Sequence, residues 1–199
     1  VSKRLLSVFT VVISGDQVRH GKPHPEPYRT AIRELGVPPG KTIVVENAPY
    51  GIRSGRAAGA GLVIALASSL PSRFPQEADV IVTSLPMLPA TKGIIGATAI
   101  AAMRPHGVLV NVGRGPVIDE DALYAALSAR RIGGAIIDTW WTYPSATDPV
   151  PRPSRHPFHD LDNCVMTGHM SGWSTGTIRR RQETMADNIR RLAAGQPLV

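Results

Sequence analysis

One cysteine, Cys164, stands among the 199 residues. A lone thiol excludes an internal disulfide and fits a reducing compartment, so a cytoplasmic location is expected. Long apolar runs are also lacking. None approaches the roughly 20 residues that a bilayer-crossing helix needs, so no membrane partner is expected. Val1-Ser2-Lys3-Arg4 leads into only a brief apolar stretch, which is not the pattern of a signal peptide. Aromatic residues make up 5% of the chain, and no internal repeat or low-complexity tract is visible.

Apolar residues make up 43% of the sequence, enough for an ordinary buried core. The 19 glycines and 18 prolines suit many short loops. The net charge is +7, carried mostly by arginine. The arginines are scattered, apart from Arg179-Arg180-Arg181 and Arg190-Arg191. Both clusters fall on a helical pattern with Ile178, Met185, Ile189 and Leu192 at helical spacing. That is a solvated helix face with its apolar stripe turned to the core. No nucleic-acid reader motif accompanies the charge, so no nucleic-acid partner is expected.

Short β-branched runs alternate with helical stretches. Strands are predicted at Phe9 to Ser14, Thr42 to Glu46, Leu62 to Leu66, Asp79 to Thr83, Val108 to Val112, Gly134 to Asp138 and Cys164 to Thr167. Helices are predicted at Glu26 to Leu35, Tyr50 to Ala58, Ala97 to Met103, Asp119 to Arg131 and Thr175 to Ala194. Such alternation implies an α/β fold: a doubly wound, mostly parallel, Rossmann-like sheet in three α/β/α layers. In the fourth helix Asp119 is placed to cap the start, and Gly133-Gly134 to end it. Thr139 to Asp160 breaks the rhythm. A Pro-rich loop of that length is functional or packed over another element.

In the first half, Lys22 precedes a helix opened by a Pro-rich turn. Glu46 and Asn47 end a strand, where side chains project into the crevice of such sheets. Gly51, Gly55 and Gly59 recur every four residues, which suits close packing of a helix on the sheet. The pair GKPHPEPYRTAIRELGV and TIVVENAPYGIRSGRAAGAG resembles the haloacid dehalogenase-like phosphatases over about Phe9 to Leu88. The resemblance implies that Lys22 balances charge at a phosphate and that Glu46 helps to hold Mg²⁺, with Asn47 in a position commonly Asp. The family's nucleophile lies in an Asp-x-Asp-Gly-Thr motif, and no such motif occurs in this chain. Its phosphate-binding Thr/Ser strand is absent too, with only Ser7 or Thr10 as a poor remnant. Without the nucleophile, Lys22, Glu46 and Asn47 read as structural remnants. Mg²⁺ is expected only if this half is active, and no other metal site is expected.

In the second half, Arg114 follows a strand in the tight turn Gly113-Arg114-Gly115. Its guanidinium fork suits a carboxylate. Asp138 ends the next strand, and His169, a residue suited to passing protons near neutral pH, follows the last. The stretch ADVIVTSLPMLPATKGIIGATAIAAMRPHGVLVNVGRGPVIDEDALYAALSARRIGGAIIDTWWTYP and the later VMTGHMSGW resemble the D-isomer-specific 2-hydroxyacid dehydrogenases, over about Ala78 to Leu198. The resemblance implies that Arg114 binds the substrate carboxylate and polarises its carbonyl. It makes His169 the acid/base and Asp138 a contact of the nicotinamide amide. Thr91 and Val112 to Arg114 match a wall of the NAD pocket. The Glu that pairs with the histidine, the Gly-x-Gly-x-x-Gly turn for the pyrophosphate and the substrate-binding domain are missing.

The chain is therefore expected to be one hybrid Rossmann-like domain, residues 1–78 phosphatase-like and 79–199 dehydrogenase-like, with the overlap at Ala78 to Leu85. The expected activity is that of an incomplete, weak or inactive NAD-dependent 2-hydroxyacid dehydrogenase. The alternatives are a phosphatase lacking its nucleophile and a non-catalytic chimeric scaffold. The expected partner is a small 2-keto or 2-hydroxy acid, and a homodimer is compatible with the sequence.

Overall fold

The computed structural model describes residues 8–67 and 77–199. The chain divides into two compact units, Val1–Thr167 and Gly168–Val199. Among the described residues the first unit holds six strands: β1 (Ile43–Glu46), β2 (Leu62–Ala67), β3 (Val80–Thr83), β4 (Val108–Asn111), β5 (Gly134–Ile137) and β6 (Cys164–Met166). All pair in parallel, in the order β1-β2-β3-β4-β5-β6. Its helices are α1 (Glu26–Leu35), α2 (Pro49–Ala57), α3 (Ala97–Ala101) and α4 (Glu120–Ser128). This is the α/β, parallel, Rossmann-like sheet that the sequence predicts.

The order never reverses among the described strands, whereas a doubly wound sheet reverses at a switch point. Burial follows this single winding. Val44, Val63, Ala65, Ala67, Ile81, Leu109, Ala135 and Ile137 share one face and join Ile52, Ile100, Leu123 and Leu127 of the helices in one core cluster. The opposite face carries Ile43, Val45, Leu66, Ile136 and Val165, all exposed. In the described first unit the helix residues of that core cluster therefore pack against one face of the sheet, as right-handed crossovers between sequential parallel strands favour.

The predicted strand at Phe9 to Ser14 is not formed. Phe9 and Val12 are exposed and Val11 and Ile13 only half-buried, so the segment has no fully buried apolar face that would reward pairing. The fourth helix keeps its predicted start, where the Asp119 carboxylate accepts from Ala122 N–H at 2.9 Å. It ends at Ser128, earlier than predicted, and Arg130 adopts a left-handed φ of 53°. Gly133 and Gly134 are not its cap. A Cβ on Gly133 would lie 2.6 Å from the His106 carbonyl oxygen, and Gly134 opens β5. Close approach of two backbones, not helix termination, is what these glycines serve.

The strands on either side of residue 78 pair directly, Ile64 with Val80 through Ala67 with Thr83. Asp79 clasps this junction. It is 8% exposed, and its carboxylate accepts from Val63 N–H at 2.9 Å, from Arg56 Nη2 of α2 at 2.7 Å and from His106 Nε2 at 3.2 Å. Its own N–H and carbonyl bond Val63 and Val108. One side chain thus ties β2 and α2 to the loop before β4.

The long segment from Thr139 to Asp160 packs on α4. Trp141 stacks on Phe158, whose side chain is fully buried. Ser154 Oγ and the Arg155 N–H both donate to the buried Glu120 carboxylate, at 2.7 and 2.6 Å. In the second unit, α5 (Thr175–Ala193) starts at a Ser174 cap and has no buried residue. Its predicted apolar stripe is exposed at Ile178, Met185, Ile189 and Leu192. A 32-residue unit built on one helix has no second layer of its own to bury that stripe.

Candidate functional site

Because all six strands run parallel, their C-terminal ends share one edge, where ligands bind in open α/β sheets. Val112 to Gly115 leave β4 there, Asp138 leaves β5 and Glu46 ends β1. Arg114 is exposed and held from below by its neighbours. Asn111, fully buried, donates from Nδ2 to the Arg114 carbonyl at 3.0 Å and accepts from Gly113 N–H at 3.0 Å. A Cβ on Gly113 would lie 2.6 Å from the Leu85 carbonyl oxygen, and one on Gly115 would lie 2.2 Å from the Trp140 carbonyl oxygen. Only glycine fits at either position without moving backbone. The turn is therefore wedged between the loops that follow β3 and β5, and the exposed Arg114 side chain stands at its rim, with Nη1 donating to the Gly113 carbonyl at 2.8 Å.

Beside it lies an open cleft of about 450 Å³, lined by Ser84 to Met87 and Val112 to Arg114. Thr91 closes the loop that forms one wall. Its hydroxyl donates to the Pro86 carbonyl at 2.6 Å and accepts from Leu88 N–H at 2.9 Å. Asp138 is 2% exposed and accepts from Thr167 Oγ1 at 2.6 Å. His169 is the second residue of the other unit and takes a left-handed φ of 58°, an uncommon conformation for a side chain with a Cβ. The structure thus brings Val112, Gly113 and Arg114 to one cleft, while Thr91 braces the loop after β3 that supplies Pro86 to its wall. Sequence reasoning missed Asn111, although an Asn closing an apolar strand just before Gly-Arg-Gly is a readable signal.

The resemblance-derived phosphatase residues form a closed cluster. Glu46 is 8% exposed and accepts from Lys22 Nζ, from the Tyr28 hydroxyl and, at 3.2 Å, from Asn47 N–H. Burial opposes its charge, but these donors win and hold its pKa below the ordinary value. The Tyr28 hydroxyl is pushed up by burial and by that carboxylate. A Mg²⁺ ion does not fit these partners, because the Lys22 ammonium occupies the carboxylate that would ligate it. Thr10 is exposed, and Ser7 lies outside the described residues, as does Val1 to Arg4. The glycine spacing is packing: Cβ atoms on Gly51 and Gly55 would collide with Glu46 and Val44 of β1. The Cys164 thiol, raised to about 11 by burial, is no nucleophile.

For a dinucleotide, the fit is partial. The open cleft, the backbone turn and the buried Asp138 carboxylate suit the nicotinamide end. Residues 68–76, which follow β2 in the sequence, lie outside the described residues.

Among the described residues no helix is long and apolar enough to cross a membrane. Residues 2–65 match the family model described as haloacid dehalogenase-like hydrolase. Residues 65–171 match the model described as D-isomer specific 2-hydroxyacid dehydrogenase, NAD binding domain. The two matches meet inside β2, upstream of the expected overlap at Ala78 to Leu85. A protein of Corynebacterium melassecola, described as "Uncharacterized protein in proB 3'region", is 39% identical over 62% of this chain and 38% of its own length. Hydroxyphenylpyruvate reductase of Plectranthus scutellarioides is 31% identical over 70% of this chain and 39% of its own. The chain thus spans well under half the length of these curated relatives. The NAD-complexed D-isomer specific 2-hydroxyacid dehydrogenase of Lactobacillus delbrueckii ssp. bulgaricus superposes with a TM-score of 0.57 at 22% identity, over 78% of this chain and 54% of that one. With more than half of its residues inside one family's domain, and the Gly-Arg-Gly turn of that domain built to hold its arginine outward, the chain belongs to the D-isomer specific 2-hydroxyacid dehydrogenases through their NAD binding domain.

Proposed function

We propose that this chain is an NAD-dependent oxidoreductase of small 2-keto and 2-hydroxy acids, incomplete and of low activity. The observation that carries this reading is the outward Arg114, fixed by Asn111 and two sterically required glycines beside an open cleft. Bound NADH supplies a hydride. Thr91, Val112, Gly113 and Asp138 form the side of the site that receives its nicotinamide end. The Arg114 guanidinium holds the substrate carboxylate through its fork and draws charge from the adjacent carbonyl. His169 donates the proton that turns the reduced carbonyl oxygen into a hydroxyl. Its left-handed backbone supports this role, since strained side-chain-bearing residues concentrate at working sites; Arg130 shares the conformation without any such role. The whole chain acts as one hybrid Rossmann-like domain in this reading, in the cytoplasm. The exposed aliphatic face of its sheet supports a homodimer, because a patch of that kind gains from being covered.

The test is NADH oxidation with glyoxylate or pyruvate by the chain and its Arg114→Ala and His169→Ala variants. Each variant is expected to lose about a hundredfold or more of a low starting rate. The rate of reduction should rise toward acid pH, because each turnover consumes a proton. Equal rates in all three proteins would refute both assignments.

A further inference from the structure

A second cluster of chemistry-bearing side chains lies outside the site above and outside the family's mechanism. His20, His24 and Glu26 each offer one ligand atom, and the three atoms lie within 4.8 Å of one another. The His20 Nδ1 is 2.9 Å from Glu26 Oε2, and the His24 Nδ1 is 3.8 Å from that same oxygen. Ligands on one tetrahedral ion, at bonds of about 2.1 Å, sit about 3.4 Å apart. The two observed separations bracket that value. The imidazole rings are 4.6 Å apart between centroids, which keeps two ring nitrogens and one carboxylate oxygen within reach of a single ion.

The cluster is also held in place. Glu26 opens α1, and its carboxylate accepts from Arg19 N–H at 2.8 Å and from His20 N–H at 3.1 Å. The His24 N–H donates to the Gly21 carbonyl at 3.0 Å, and the His24 carbonyl accepts from Ser54 Oγ at 2.6 Å. Such outer bonds fix ligand direction in known metal sites. The loop from Arg19 to Glu26 is therefore pinned at both ends before any ion arrives.

We infer that His20, His24 and Glu26 form a surface site for a zinc-class divalent transition-metal ion. Two imidazoles and one carboxylate make a borderline donor set that suits Zn²⁺ and neighbouring ions over Mg²⁺ or Ca²⁺. The ion takes the place of the 2.9 Å contact between His20 Nδ1 and Glu26 Oε2, and of the weak 3.2 Å bond from Glu26 N–H to His24 Nδ1. Three protein ligands leave a position for water. The side chains of His20 and His24 are 63% and 48% exposed, so the ion enters from solvent and either histidine can be replaced without disturbing the core.

Calorimetry with Zn²⁺ on the full chain tests this. One site is expected, with affinity falling more than about tenfold in His20→Ala and in His24→Ala and further in the double variant. His156→Ala/His159→Ala is the control and keeps the site. Circular dichroism checks that each variant is folded. Zinc binding of unchanged strength and stoichiometry in His20→Ala/His24→Ala would overturn the inference, as would no binding by the parent chain at any concentration up to about a millimolar.

Discussion

Asp79→Ala is expected to destabilise the protein by about 3 kcal/mol, the loss that follows when one member of a mostly buried charge pair is removed. Three donors lose their acceptor together: the Val63 N–H in β2, Arg56 Nη2 on α2 and His106 Nε2. Arg56 already has a buried Nε without a partner among the described residues, so water cannot simply replace the carboxylate. For a chain of this size such a loss lowers the melting temperature by about 10 °C. A pH dependence accompanies it. Burial raises the Asp79 pKa, but Arg56 and the other donors outweigh it and hold the folded value below 3.8. The clasp therefore contributes in full above pH 3.8 and loses strength as pH falls through the folded value. Glu46 and Glu120 are shifted the same way, so the parent weakens further in acid. Denaturant melts of parent and Asp79→Asn across pH 3 to 7 would show the two curves converging in acid. A constant gap between them would show that Asp79 does not act through its charge.

Gly115→Val should cost as much or more, about 3 kcal/mol or above, because the obstacle is backbone rather than a movable side chain. Even a Cβ would sit 2.2 Å from the Trp140 carbonyl carbon and oxygen and 2.6 Å from Trp141 N. Either the loop after β5 retreats or Arg114 swings away from its cleft, so stability and ligand binding fall together. Gly172→Ala is the matched control, since a Cβ there meets nothing within 4 Å. It should stay within about 0.5 kcal/mol of the parent. Similar melts for both variants would mean that the turn yields easily and does not fix Arg114.

The two halves of the chain were legible from different kinds of signal. Six strands were readable because each is a short β-branched run closed by a turn. Helix α1 was readable to the residue, opened after Pro25 and closed by Gly36 at φ 66°. What local pattern cannot show is which run finds a partner. Phe9 to Ser14 has strand composition, yet it forms no strand, and its best-covered residues, Val11 and Ile13, are only half-buried. Gly133 and Gly134 have cap chemistry, yet Gly133 serves the approach of the His106 backbone and Gly134 that of the Asn163 backbone. The single winding was hidden for the same reason, since strand order depends on contacts far apart in sequence. Arg114 was legible from its Gly-Arg-Gly turn. Asn111, which holds that turn, and Asp79, which joins β2 to β3, read as ordinary polar residues at strand ends. Only their burial reveals how many bonds each one carries.

The central claim, that a nicotinamide-binding wall persists at Gly113 to Arg114, is tested most directly by titrating the chain with NADH while following tryptophan fluorescence. Trp140 and Trp141 adjoin the Gly115 backbone, so they should report occupancy of that wall. The expected result is a saturable change, weak because the pyrophosphate turn is missing, that weakens further in Arg114→Ala. A linear, non-saturating response that is the same in both proteins would contradict the account.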